Sequence, residues 1–149
     1  MPRARDSVEP VVIATDGSES AEQAVAAGAR VARTLGTKAV LVYVRPPIGP
    51  LGEPFHQEKL SEQMAHARAA LDRAETVVSQ EGCEADAEIL DGNPAEQIVE
   101  LARARNAPLI VVGSRGLGAV AGALLGSVSS AIVHRADRPV LIVPRPPEP

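Results

Sequence analysis

The residues from Gly113 to Ser127, GSRGLGAVAGALLGS, hold the densest chemistry in this sequence. Glycines lack a Cβ, so their backbone amides can come close to a ligand. The segment runs into a predicted helix at Ser127, and a helix N-terminus offers unpaired N–H groups and the positive end of the helix dipole to an anion. Ser127 adds a hydroxyl at that point, and Arg115 is the only cation within the segment. These features describe a phosphate cradle; a purely structural glycine-rich turn is the alternative on spacing alone. A Walker A loop needs Gly-Lys-Ser/Thr, whereas the only lysines are Lys38 and Lys59, both elsewhere. A dinucleotide fingerprint needs GxGxxG after the first strand, where this chain has Asp16-Gly17-Ser18.

Other reactive side chains are sparse. Asp16 stands in the cluster Thr15-Asp16-Gly17-Ser18, where it could meet a ligand or close an Asx turn. Arg115 could equally be a solvated loop cation, and Ser127 a simple N-cap. His134 follows Ser130 by four residues, a surface neighbour rather than a catalytic base, and His56 and His66 sit in the loop and on the second helix, where no metal site is expected. No G-x-S-x-G elbow is present, and no paired carboxylates are placed for acid–base work. The single Cys83 follows a helix-ending glycine and reads as an ordinary semi-buried thiol; one cysteine excludes a disulfide scaffold and a cysteine-rich zinc site.

These residues need a frame, and the apolar pattern supplies one. Pro10 to Ala14, Ala39 to Val44, Pro108 to Val112 and Pro139 to Val143 are short continuous apolar runs, as expected of parallel strands covered on both faces. Glu84 to Leu90 alternates and predicts a half-exposed edge strand. Between the strands lie helical stripes. Ala21, Ala24, Val25, Gly28, Val31, Ala32 and Leu35 follow a Ser20/Gln23 capping box and stop at Gly36. Leu60, Met64, Ala67, Leu71, Ala74 and Val78 form a second stripe ending at Gly82. Asn93-Pro94-Ala95-Glu96 predicts a helix start, with Ile98, Leu101 and Ala102 on its buried face. Ser127 opens the last helix, with Val128, Ala131 and Ile132 inward. A loop rich in proline and glycine, from Pro46 to Pro54, separates the second strand from the second helix; long loops of this kind are usually functional or mobile.

Strict β-α alternation predicts an α/β fold: a single doubly wound five-stranded parallel sheet, helices on both faces. In the strand order 3-2-1-4-5 the first and fourth strands flank the switch point, where such sheets bind ligands at their carboxyl ends. Thr15-Asp16-Gly17-Ser18 and the glycine segment would then face each other.

Composition bounds the function. The chain has 149 residues, 15 Lys plus Arg against 19 Asp plus Glu, and a formal net charge of −4. That length fits one domain, expected over residues 10–144 between disordered tails at 1–9 and 145–149, the latter proline-rich. No run of about 18 apolar residues predicts a membrane span. Met1 to Pro10 carries two arginines without an apolar core behind them, so no signal peptide is expected and a cytoplasmic location is. With one Phe, one Tyr and no Trp, the sequence lacks base-stacking platforms, and its acidic balance disfavours phosphate-backbone binding, so no nucleic-acid partner is expected. A core of Ala, Val, Ile and Leu suggests helices lying close to the sheet, although codon bias would leave the same composition.

Gly113, two residues, Gly116, nine residues, then Gly126-Ser127 reproduce the G-2x-G-9x-G-(S/T) motif, and with it the chain resembles the ATP-binding universal stress proteins. The opening strand ending in Thr15-Asp16-Gly17-Ser18, the strand ending in Tyr43-Val44 and the closing Arg138-Pro139-Val140-Leu141-Ile142-Val143-Pro144 extend the likeness from about Val11 to Val143. The resemblance implies an adenine nucleotide alpha hydrolase-like fold and an ATP site. In it Asp16 would bind the ribose or lie near the phosphates, with Ala14 and Thr15 beside it. Val44 would hydrogen-bond adenine through its backbone. Gly113, Arg115 and Gly116 would contact ribose and phosphates; Gly126, Ser127, Val128 and Ser129 would bind phosphates through amides, with the Ser127 and Ser129 hydroxyls helping. Mg²⁺ or Mn²⁺ would bridge the phosphates without dedicated protein ligands.

The resemblance further implies a homodimer through the edge strand Val140–Val143 and a regulatory role in stress response, with slow ATP hydrolysis or none. ATP occupancy would order the 113–126 loop and alter the dimer or a partner surface. A slow ATPase or a phosphoryl or nucleotidyl transferase on the same fold, and a nucleotide-free structural dimer, are the rival expectations. With so few aromatics, adenine would rest on backbone hydrogen bonds and aliphatic walls such as Val12, Ile13 and Val42, next to the lone Tyr43.

Overall fold

A computed structural model describes residues 9–116 and 125–145. The middle of the glycine segment, including Gly118 and Gly122, and both expected tails save Glu9 and Arg145 lie outside the described residues. Five strands and four helices alternate: β1 Val11–Ala14, α1 Glu19–Leu35, β2 Ala39–Arg45, α2 Phe55–Gln80, β3 Ala85–Asp91, α3 Pro94–Ala104, β4 Ile110–Gly113, α4 Ser127–Arg135 and β5 Val140–Val143. All pairings are parallel, as the alternation predicted, and the order is β3-β2-β1-β4-β5, the expected one. No described helix is long and apolar enough to cross a membrane.

The period-two rule of strands divides the core into two layers. Val11, Ile13, Leu41, Tyr43 and Val111 point to one face, under α1 and α2. Val12, Ala14, Val42, Ile110 and Val112 point to the other, under α3 and α4. The small residues follow from close helix–sheet approach. A Cβ on Gly28 of α1 would lie 2.7 Å from Ile13 Cδ1 and 3.2 Å from Val111 Cγ1. Ala24, Ala29 and Ala32 on the same helix are fully buried.

Local chemistry fixes the element ends. The start of α1 differs from the Ser20/Gln23 capping box. Its N-cap is Ser18, whose hydroxyl accepts the Ala21 N–H at 3.2 Å. Ser20 instead lies inside the first turn with its hydroxyl buried and without a hydrogen-bond partner among the described residues. Gly36 ends the helix in the left-handed region at φ 72°. Asn93 caps α3 as expected, accepting from Glu96 N at 3.0 Å, with Pro94 in the first turn. On α3 Ile98 and Ala102 are buried with Ala95 and Val99, whereas Leu101 is half-buried. On α4 Ile132 is buried, while Val128 and Ala131 are half-buried against that layer. The cap of α4 is Gly126 rather than Ser127, and no described side chain caps it. β3 and β5 form the sheet edges, and all four residues of β5 are half-buried.

Candidate functional site

Strand order reverses between β1 and β4, because the chain winds outward through β2 and β3 on one side and through β5 on the other. Helices cannot cover that point from both directions, and a cleft opens above the strand ends. It encloses about 200 Å³ and is lined from β1, β2, β4, the starts of α1, α3 and α4, and both ends of the glycine segment. Ala14, Thr15, Asp16, Val44, Gly113, Arg115, Gly116, Gly126, Ser127, Val128 and Ser129 all line it. The structure thus places these eleven residues around one cleft.

The glycine segment begins and ends at one carbonyl. Ser114 O accepts the Gly126 N–H at 2.6 Å and the Ser129 hydroxyl at 2.9 Å. Residues 114–116 and 126–129 are therefore neighbours although ten residues apart in sequence, and Arg115 Cα lies 3.4 Å from where a Cβ on Gly126 would stand. Ser129 is 2% exposed. Its hydroxyl donates within the protein, to Ser114 O and, at 3.1 Å, toward Gly126 O. In an α-helix the first N–H groups have no partner in the helix; among the described residues no side chain caps those of Ser127, Val128 and Ser129, and all three residues line the cleft.

Asp16 does two things at once. Its Oδ1 accepts the Ser18 N–H at 3.0 Å, the Asx turn that the sequence allowed. Its Oδ2 stands where a Cβ on Gly116 would have to go, so any larger residue at 116 displaces the Asp16 carboxylate or the 115–116 backbone. Thr15 is buried, its N–H donating to Val42 O at 3.0 Å and its Oγ1 accepting the Gly17 N–H at 3.1 Å. Among the described lining residues Arg115 is the one cation and Asp16 the one carboxylate.

The apolar half of the cleft was less legible. Ala21, Val42, Pro94, Ile98, Val112 and Leu125 line it too. Of the aliphatic walls expected, Val42 serves, but Val12 and Ile13 are fully buried in the core. Strand parity explains part of this and could have found it. Val42, Val44 and Val112 share the face of Ala14, with Pro94 and Ile98 one turn apart on α3 beneath them. Ile13 points to the opposite layer, and Val12 lies one pleat below the strand end. Parity also turns Tyr43 away from the cleft. It packs under α2 with its ring edge-on to His66, centroids 5.6 Å apart at 71°. Burial, and secondarily the Asp16 carboxylate, push its phenol above the ordinary value.

Elsewhere the chemistry is quiet. Burial raises the Cys83 thiol, so it stays protonated at neutral pH. No group of three or more His, Cys, Asp or Glu side chains that could hold a metal ion occurs among the described residues.

Known proteins agree with this architecture. Residues 7–144 match the universal stress protein family. A universal stress protein of Thermus aquaticus, encoded in the QAH/OAS sulfhydrylase 3' region, is 39% identical over 134 residues, 89% of this chain and 96% of that protein. One from Mycobacterium tuberculosis is 32% identical over 157 residues, covering 93% of this chain and 49% of its own; the chain spans about half the length of that curated mycobacterial relative. Among solved structures, a universal stress protein of Archaeoglobus fulgidus in complex with dAMP superposes with a TM-score of 0.74 at 26% identity, covering 92% of this chain and 98% of that one. A universal stress protein in complex with cAMP superposes at 0.68 and 30% identity, covering 92% and 97%. With the sheet order, the switch-point cleft and a match over nearly its whole length, this chain belongs to the universal stress protein family.

Proposed function

We propose that the cleft binds ATP and that the protein is a cytoplasmic, nucleotide-dependent regulator in stress response. The observation that carries this reading is the convergence of both ends of the glycine segment on the Ser114 carbonyl, with Gly116 against Asp16 and Gly126 at the cap of α4. The cleft is two-sided. On the β2 side, Val42, Val44, Pro94 and Ile98 offer aliphatic walls for a base, and the Val44 backbone is in reach of its edge. On the β4 side, Gly113, Arg115, Gly116 and the amides of Gly126 to Ser129 offer donors for phosphates, with Asp16 between them for the ribose or the phosphate end. One arginine and a helix end do not neutralise a triphosphate, so Mg²⁺ or Mn²⁺ would enter bound to the phosphates. Relatives solved with dAMP and cAMP support an adenine nucleotide.

Regulation needs ATP to favour one state of the protein over another. The edge strand β5, half-buried in the single chain, is the surface through which we expect two copies to pair, since an unpaired apolar edge invites another strand. Among the described lining residues there is no lysine, and no general base is set beside one, which favours a sensor over a fast ATPase.

Calorimetric titration with MgATP tests the reading. Binding is expected at sub-millimolar concentration, and none at millimolar nucleotide would overturn it. Gly126→Asp places a carboxylate against the phosphate amides and should abolish binding while the fold survives. Phosphate release well above about one per hour would shift the assignment to an enzyme.

A further inference from the structure

Helix α2 lies outside the cleft, yet it grips the residues that build it. His66 Nε2 donates to the Asp16 carbonyl oxygen at 3.1 Å, and Arg73 Nη2 donates to the Gly17 carbonyl oxygen at 3.2 Å. Both anchors are themselves oriented. Tyr43 meets the His66 ring edge-on, and Arg73 Nε pairs with Glu22 of α1 at 3.1 Å. Gly17 is closed in by the same helix: a Cβ there would lie 3.0 Å from Arg73 Nη2, 3.1 Å from Ala70 Cβ and 3.4 Å from His66 Cε1. Its φ of +85° turns the peptide so that consecutive carbonyls face α2.

We propose that His66 and Arg73 are positioning residues for the nucleotide: by holding the Asp16 and Gly17 carbonyls, α2 fixes the direction in which the Asp16 carboxylate enters the cleft. This inference rests on the ATP reading of that cleft. A carbonyl and a side chain on one residue are rigidly related through its backbone. Releasing the carbonyl of Asp16 lets the residue rotate, and its Oδ2, set against Gly116, moves with it. The nucleotide affinity is then tuned from α2, the helix that follows the proline-rich 46–54 loop, and that region becomes a place where binding can be adjusted without altering the cleft itself.

His66 and Arg73 are exposed, so their replacement leaves the core intact. The test is calorimetric titration of the full chain with MgATP. His66→Phe keeps a ring against Tyr43 but has no donor; His66→Gln keeps an amide donor near the position of Nε2 but has no ring. His66→Phe and Arg73→Met are expected to weaken MgATP about three- to tenfold, the worth of one hydrogen bond, while His66→Gln stays within about twofold of the wild type. Hydrogen exchange at the Gly17 and Ser18 amides should quicken in His66→Phe and not in His66→Gln. Unchanged affinity in both His66→Phe and Arg73→Met, or equal losses in His66→Phe and His66→Gln, overturns the inference while the ATP reading stands. A wild type that binds no MgATP overturns the ATP reading and this inference with it.

Discussion

Gly116 offers a sharp perturbation, because one added methyl group has a single predicted victim. A Cβ at 116 overlaps Asp16 Oδ2, and the backbone there lies outside the left-handed region, so Gly116→Ala brings no conformational strain of its own. Two escapes exist. Residues 115–116 could move, dragging Arg115 and the 2.6 Å hydrogen bond from Gly126 N–H to Ser114 O. Alternatively Asp16 rotates and gives up the Ser18 N–H held at 3.0 Å by Oδ1. The second costs at least the partly buried Ser18 hydrogen bond, about 1 kcal/mol, a fall of about 3 °C or more in the unfolding midpoint for a domain of this size. Losing a carboxylate contact to bound nucleotide should weaken MgATP about tenfold or more. Gly126→Ala is the control: its Cβ would meet atoms at 3.4, 3.6 and 3.7 Å, ordinary contacts, at a φ of −70° that alanine adopts freely. The decisive assay is a double-mutant cycle on stability, which needs no ligand. Once Asp16→Ala has removed the carboxylate, Gly116→Ala should cost almost nothing, giving a coupling of about 1 kcal/mol. Losses that add within about 0.4 kcal/mol would refute the claim that the two residues meet.

Two further outcomes follow from the same structure. Gly28→Ala gains about 1 kcal/mol of helix propensity but drives a methyl to 2.7 Å from Ile13 Cδ1; overpacking costs about 1–3 kcal/mol, so urea denaturation should show a net loss of about 1 kcal/mol. Lys38 Nζ, 2.6 Å from Asp86 Oδ2, holds that carboxyl below its ordinary value. A depressed folded pKa stabilises above the unfolded value and is lost as pH falls through the folded one. Lys38→Met should therefore flatten part of the acid limb of thermal stability below about pH 4, and the difference should shrink in high salt because the pair is exposed.

What the sequence disclosed tracks how local each physical signal is. Apolar runs such as Val11–Ala14 and Ile110–Val112 are buried on both faces by neighbours that any parallel sheet must supply, so composition alone announces them. The Asn93-Pro94 start of α3 is equally legible, because a cap and its acceptor lie three residues apart. The start of α1 was misplaced by two residues, since Ser18 and Ser20 both precede a helical stripe and only the turn made by Asp16 and Gly17 decides between them. The start of α2 carries no such signal: its cap is Pro54, with no side chain bonded to the first turn.

The cleft divides along the same line. Its polar half is written in a motif whose spacing brings Gly116 and Gly126 to one place, through the shared carbonyl of Ser114, and that spacing survives in one dimension. Its apolar half depends on which face of each strand points outward at the switch point. Val42 and Ile13 are both β-branched residues in buried strands, and only one lines the cleft. Strand parity, once Ala14 is fixed as a cleft residue, assigns Val42, Val44 and Val112 to it and excludes Ile13 and Tyr43. Tyr43 shows what that step is worth. Beside Val44 in sequence, the lone tyrosine looks like a platform for a base. Pointing into the other layer, it supports His66 instead, and its contribution to the site passes through α2 and the Asp16 carbonyl. The scarcity of aromatic residues then has a structural meaning. Close helix–sheet packing favours small side chains, and the one large ring kept in the core stands where a long helix must be held against the strand end that opens the cleft.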